Sequence, residues 1–386
     1  MSATTLAATG TPILQFGTSR FLQAHADLFI SQALARGQAL GRVTVVQTTD
    51  NPGSAERVKA LASGAAYPVR IQGIEQGQGV DELRWSTSIA GALRTATDWP
   101  LIRALFVRDT QVVLSNTGDA GYALSDLDTP AALAPGAPAP ASFPAKLLVL
   151  LHDRWQANPS AMLSLFPCEL VSRNGEVLRE LVLSLARGWA LAPSFITYLR
   201  ERCRWANSLV DRIVSQAIEP VGAVAEPYAL WAIERQEGLL LPCKHPSMIV
   251  TDRLDHYEHF KLFMLNLGHS WLAERWHVDG RASDETVHEA MHDPALRQDL
   301  ESLWEEEVLP VFAAQGCLAE ARDYLASVRE RFLNPYLRHR IADIAQNHEQ
   351  KKCRRFLPLV KMSQRLAPKL AQPRLMAALG LARGVA

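Results

Sequence analysis

The chain has 386 residues, enough for two or three domains with sizeable cores. Hydrophobic residues at 48% exclude disorder over the whole chain, and 40 basic against 40 acidic side chains leave no broad positive field to draw nucleic acid or an anionic membrane. Five widely spaced cysteines without a C-x-x-C pair suggest neither a disulfide framework nor a thiolate zinc site, and neither a signal-like start nor a membrane-length apolar run is visible, so the reading is a cytoplasmic protein.

The first predicted element is a strand over Pro12 to Gly17, stopped by glycine and followed by an amphipathic helix from Phe21 to Arg36. A β-branched run at Val43 to Val46 ends in the polar Gln47 to Gly53, and another at Val112 to Leu114 ends in Ser115-Asn116-Thr117-Gly118. Strands that alternate with helices and end in polar loops predict βαβ units and a mostly parallel sheet. The Ala- and Pro-rich stretch Thr129 to Pro144 reads as a surface excursion. Helices follow over Lys146 to Ala157, Glu176 to Ala190 and Pro193 to Arg204, with a strand at Ser164 to Val171. After a last strand at Ser247 to Thr251 the pattern is helical: His256 to Trp276, Asp284 to His292, Pro294 to Phe312, Leu318 to Phe332, Pro335 to Ala345 and Pro373 to Leu381. The expected fold is therefore α/β, a mostly parallel sheet domain over 1–245 followed by a mainly α-helical domain over 246–386.

Two segments can carry chemistry. In Gly17-Thr18-Ser19-Arg20-Phe21 a glycine turn opens a helix, where free N–H groups and the helix dipole favour a phosphate; the same turn also serves as plain scaffolding. In Lys261-Leu262-Phe263-Met264-Leu265-Asn266-Leu267-Gly268-His269, a helical rotation of about 100° per residue sets Lys261, His269 and Asn266 at about 0°, 80° and 140°, one polar side amid apolar neighbours. An ammonium, an amide and an imidazole on one side suit proton transfer to a carbonyl or hydroxyl oxygen, and desolvation adapts an ammonium to that work. The alternative is a lysine that snorkels beside a satisfied core histidine.

With Pro167-Cys168-Glu169-Leu170, Leu209 to Val214 and Phe332-Leu333-Asn334-Pro335-Tyr336, these segments resemble the polyol-specific long-chain dehydrogenase (mannitol dehydrogenase) family, in wording most like its tagaturonate reductase (altronate oxidoreductase) branch. The Lys-x4-Asn-x2-His signature stands intact as Lys261, Asn266 and His269. The resemblance implies an NAD-binding Rossmann-like domain, a helical substrate domain and hydride transfer without metal. It makes Lys261 the acid/base, Asn174 and Asn266 amide donors to the developing oxyanion, worth about 3 kcal/mol each, and His269 the orienting group. Glu258, one turn before Lys261, either tunes it or forms a solvated ion pair with it.

The cofactor residues so implied are Phe16, Gly17, Ser19, Arg20, Phe21, Asp50, Ser115, Asn116 and Thr117; those facing substrate are Val210, Asp211, His339 and Lys351, with Arg338 beside them. Ser19 stands where the family usually has a second glycine, and Gln23 where it usually has arginine. The expected reaction joins a keto-uronate of the tagaturonate or fructuronate kind to its hydroxy sugar acid. A neutral polyol or polyol-phosphate dehydrogenase and a catalytically silent NAD-binding sensor are the alternatives. No macromolecular partner is indicated, and the state is read as a monomer or weak dimer.

Overall fold

The computed structural model describes residues 11–49, 51–118 and 121–381. They form two compact units, one made of the described parts of Met1–Ile71, Glu82–Ala225 and Ala229–Leu254, the other of Gln72–Asp81, Glu226–Tyr228 and the described residues from Asp255 onward.

The expected architecture holds in the first unit. Strands β1 (Ile13–Phe16), β2 (Val43–Gln47), β5 (Ile89–Arg94), β6 (Val112–Ser115), β7 (Leu163–Pro167) and β8 (Cys203–Trp205) form one six-stranded sheet in the order β5-β2-β1-β6-β7-β8, with every pairing parallel. Renumbered by position, that order is 3-2-1-4-5-6, the dinucleotide-binding arrangement, and its topological switch point lies between β1 and β6. Every residue of β1, β2, β6 and β7 is buried, as parallel strands covered on both faces must be. Helix Phe143–Ala157 is buried continuously from Phe143 to Leu151 and packs into the same apolar core as β1, β6 and β7.

The structure corrects several expected elements. The helix expected over Phe21 to Arg36 is two, Arg20–Ala24 and Ala26–Leu34, broken at His25 (φ −120°, ψ −95°). The ring of His25 lies 4.8 Å from that of Phe21 and 4.6 Å from that of Phe29, while its Nε2 pairs with the Leu230 carbonyl at 3.0 Å. Burial pushes its pKa down to about 3, so it is a neutral packing group at physiological pH. The helix from Pro193 ends at Glu201, because Cys203–Trp205 joins the sheet as its edge strand.

Between Gly53 and Val112, where no element was expected, lie helices Ala55–Ala62 and Thr95–Arg108 and strands β3 (Tyr67–Glu75), β4 (Gln78–Ser86) and β5. A further run, β9 (Ser208–Asp211), β10 (Val214–Ala217), β11 (Ala223–Ala225) and β12 (Leu230–Glu234), precedes β13 (Met248–Thr251); these build a four-stranded sheet, β10-β11-β3-β4, and a three-stranded one, β13-β12-β9.

The second unit is helical around one apolar core that runs from Phe260 to Ala378. Its core helices include Leu267–Val278, Pro294–Leu303, Leu318–Phe332 and Leu357–Leu366. The tip of the β3–β4 hairpin belongs here: Gly77 N–H donates to Glu330 at 2.7 Å, and Asn334 Nδ2 donates to the Gln72 carbonyl at 3.2 Å. Of the helix expected over Pro335 to Ala345 only Ile341–Ile344 forms, and a helix His348–Arg355 follows it. Among the described residues no helix is long and apolar enough to cross a membrane.

Candidate active site

In the first unit the switch point brings together the turn after β1 and the end of β6, which carry the described residues assigned to the cofactor. Gly17 holds φ +112°, and a Cβ there would lie 2.3 Å from the Asn116 carbonyl oxygen, so only glycine lets the turn pass so close to the end of β6. The carbonyl of Phe16 accepts from Asn116 N–H at 3.0 Å, and its ring packs on Phe143, so what Phe16 offers here is backbone. Ser19, in place of the second glycine, caps the next helix by accepting from Leu22 N–H at 3.2 Å.

Arg20 forms an ion pair with Glu219. Gln23, in place of arginine, donates to the Thr18 carbonyl and accepts from Gly222 N–H at 2.9 Å, so it ties the turn to a loop instead of offering charge. Sequence reasoning missed Arg57, whose Nη1 donates to the Thr18 carbonyl at 3.4 Å and whose pKa is lowered first by burial and then by Arg20. Its helix follows β2, the place where a cofactor ribose is read, and that position was the available signal. Asp50 lies outside the described residues.

The loop after β6 is organised by Glu169. This buried carboxylate accepts from Ser115 Oγ at 3.0 Å, from Thr117 N and Oγ1 at 3.1 Å each, and from Tyr122 OH at 3.3 Å. Burial raises its pKa, and the hydrogen bonds from Thr117 and Ser115 work against the rise. Ser115 and Thr117 are thus committed partly to shaping their own loop.

Asn174 is committed further: Nδ2 donates to the Glu169 carbonyl (3.2 Å) and the Ser208 carbonyl (2.9 Å), and Oδ1 accepts from Gly175 N–H and Ser208 N–H at 3.0 Å each. Both amide hydrogens are in use, so Asn174 here fastens the loop after β7 to β9, and a direct oxyanion bond would require exchange of one of them. Val210 and Asp211 are buried in β9, paired with Trp231 and Leu230.

In the second unit the signature segment is not a regular α-helix. Lys261–Asn266 is a π-helical turn between helices Leu254–Phe260 and Leu267–Val278, and Leu267 N–H reaches back five residues to the Leu262 carbonyl. With i→i+5 pairing, Lys261 and Asn266 stand one turn apart along the axis, so the spread expected from about 100° per residue is corrected to a single stripe. His269, three residues on in α-helical geometry, continues it. Single-turn π-bulges occur often at functional sites. Gly268 permits the packing behind the stripe, since a Cβ there would lie 2.7 Å from the Trp304 ring.

Around this stripe the fold brings two further assigned residues. The His269 ring stacks on Phe332 at 4.4 Å and meets His339 edge-on at 5.0 Å. His339 has a lowered pKa, from burial first; Asp343 opposes the shift and the nearby charge of Lys351 adds to it. Lys351 Nζ donates to the Ile344 carbonyl at 2.7 Å, and its own pKa is lowered by burial and by Arg355. Arg338 is exposed. Arg355 donates to the Asn266 carbonyl at 3.0 Å. Among the described residues no group of three or more His, Cys, Asp or Glu is placed to hold a metal ion.

A family described as the mannitol dehydrogenase Rossmann domain matches residues 11–240, and the mannitol dehydrogenase C-terminal domain matches residues 253–383. An altronate oxidoreductase of Halalkalibacterium halodurans is 32% identical over 90% of this chain and 69% of its own length; that of Bacillus subtilis is 32% identical over 90% and 74%, and that of Escherichia coli O1:K1 is 30% identical over 92% and 75%. In three dimensions the chain superposes on D-sorbitol dehydrogenase in substrate-free form with a TM-score of 0.82 at 20% identity, covering 95% of this chain and 79% of that one. It superposes on Pseudomonas fluorescens mannitol 2-dehydrogenase in complex with NAD and D-mannitol with a TM-score of 0.71 at 18% identity, covering 96% and 78%. Both domain matches together span nearly all of the described chain, and the chain belongs to the mannitol dehydrogenase family of NAD-dependent CH–OH dehydrogenases.

Proposed function

We propose that this protein interconverts a linear keto-uronate, of the tagaturonate or fructuronate kind, and its hydroxy sugar acid, with NAD as cofactor and Lys261 as acid/base. The observation that carries the proposal is the π-helical turn that sets Lys261 and Asn266 in one stripe with His269, beside His339 and Lys351. The altronate oxidoreductases that match most of the chain support the acid-specific branch.

The residues present at the switch point fit a dinucleotide. Gly17, Ser19, Arg20 and Phe21 would hold its phosphates, and Ser115 to Thr117 the part that crosses β6; NAD bound there supplies the hydride for reduction and accepts it in oxidation. In reduction Lys261 gives its proton to the oxygen of the developing alkoxide, and in oxidation it takes that proton back. Asn266 donates a side-chain hydrogen bond to the same oxygen, which is strongest when the oxygen is most negative. His269, held between Phe332 and His339, orients the neighbouring hydroxyl. Lys351 pairs with the sugar carboxylate, while Val210, Asp211 and His339 are assigned to the substrate side. Asn174 acts through the loop that it ties together.

The test is loss of NADH absorbance with D-tagaturonate, D-fructuronate, D-fructose and fructose 6-phosphate, repeated with NADPH because of Arg20 and Arg57. Turnover of a uronate supports the proposal. Activity confined to fructose or its phosphate moves the enzyme to the neutral or phosphorylated branch, and silence on all four with NADH still bound favours the sensor. Lys351→Ala is expected to raise KM for the sugar acid roughly tenfold, the loss of one charge-assisted contact, and that for fructose by less than about twofold. Equal effects on both would remove Lys351 from carboxylate recognition.

A further inference from the structure

In the second unit two carbonyls of the π-helical turn accept from side chains outside it. The Met264 carbonyl accepts from Trp304 Nε1 at 3.3 Å. The Asn266 carbonyl accepts from Arg355 Nη1 at 3.0 Å, and the same nitrogen donates to Ser270 Oγ at 2.8 Å.

Arg355 has an unusual situation for an arginine. Its pKa is lowered by burial, and among the described residues no carboxylate pairs with it. A half-buried cation held only by neutral oxygens carries a desolvation penalty that an apolar side chain would avoid, so packing does not account for it.

The rest of its helix is fastened separately. His348 Nε2 meets Glu274 Oε2 at 2.7 Å, and Lys352 Nζ meets the same oxygen at 3.1 Å. Lys352 also donates to the Ala378 carbonyl at 2.9 Å. His348, Lys352 and Arg355 form one face of the helix, and Asn266, Ser270 and Glu274 the matching face opposite. Loss of Arg355 therefore leaves the helix docked at its other end and Lys351 in place.

We propose that Arg355 is a positioning residue for the proton-transfer helix: by holding the Asn266 carbonyl it keeps Lys261–Asn266 in its π-helical form, and with it the alignment of Lys261 and Asn266. This rests on the roles given to those two residues above. Arg355 touches the backbone behind the reacting groups and acts through them.

Arg355→Met and Arg355→Lys test it, assayed on the substrate that the panel identifies. Arg355→Met is expected to lower kcat by roughly 30- to 100-fold, the scale of a misplaced reacting group, with KM for the sugar and Kd for NADH within about threefold. Arg355→Lys, whose ammonium still reaches for a carbonyl, should recover most of that kcat. Hydrogen exchange over residues 261–270 should quicken in Arg355→Met at a Tm close to that of the wild type, a readout that needs no substrate. A kcat for Arg355→Met within threefold of wild type overturns the proposal, and so does a parallel fall of kcat, substrate affinity and Tm with no recovery by lysine. If the wild-type protein turns over none of the four sugars, the roles of Lys261 and Asn266 fail first, and the exchange measurement alone decides the clamp: quickened exchange sustains it, and unchanged exchange ends it.

Discussion

The glycine turn after β1 and the π-helical turn at Lys261 solve the same problem in opposite ways. Each must present polar groups from otherwise buried backbone. The first does so with neighbours in sequence and in the adjacent strand: Ser19 caps its own helix, and Gly17 passes the end of β6 because it lacks a side chain. The second is a π-helical turn whose Met264 and Asn266 carbonyls accept from distant residues, Trp304 and Arg355. A site built from local rules tolerates change around it, whereas one built from remote partners is vulnerable at each of them.

The contrast is sharpest at Lys261. Lys261→Ala should lower kcat by about 10³-fold, within the range for loss of a general acid/base, while NADH Kd stays within about twofold. Turnover near that of the wild type would mean that the π-helical turn serves packing alone and that the proton donor lies elsewhere.

Beneath the first turn, Asp27 supplies a pH test. It is fully buried, accepts from Gln15 Nε2 and Tyr67 OH, and burial raises its pKa from 3.8 to about 7. Between those values the folded state binds a proton that the unfolded state has released, so stability falls as pH rises from about 4 to about 7. At about 1.4 kcal/mol per pKa unit, Asp27→Asn should stabilise the protein at pH 8 by on the order of 3 to 4 kcal/mol and leave it unchanged at pH 4. Urea denaturation at both pH values measures it; the same shift at each would show that Asp27 does not titrate there.

Gly17→Ala should cost about 2 to 3 kcal/mol of stability and weaken NADH binding, because the new Cβ and the positive φ act together. Calorimetry and fluorescence titration read the two effects, and an unchanged Kd would separate this turn from the cofactor. Ser19→Ala is the mildest change, about 1 kcal/mol in thermal unfolding for one lost helix cap. A much larger loss of NADH affinity from Ser19→Ala would show that its hydroxyl serves the cofactor as well as the helix.

The same division governs what could be read from the chain. Strands β1, β2 and β6 announce themselves as apolar runs ending in polar loops, and Gly17 marks the turn, because covering a parallel strand on both faces leaves a local imprint. The alternation of Tyr67, Val69 and Ile71 was a usable signal for β3, whereas β4 is mostly exposed and β8 has three residues, too little for any period to show. His25 ends a helix through contacts with Leu230 and Trp231, which no window around residue 25 contains. The signature residues were visible as a spacing. Their alignment was not, because a π-helical turn has no composition of its own and depends on partners 40 and 89 residues away.

The ion pair of Glu226 with Arg331, 2.8 Å apart and nearly sealed from water, bears on how the protein is made. With Tyr228 against Arg331 and the hairpin tip held by Glu330 and Asn334, the helical unit includes stretches that leave the ribosome well before its helices do. Those early stretches must wait, with Glu226 still hydrated, until Arg331 is synthesised. A C-terminal fragment starting at Asp255 would contain every residue of the signature and still lack part of its own unit, so the two halves of this enzyme cannot be separated by a single cut.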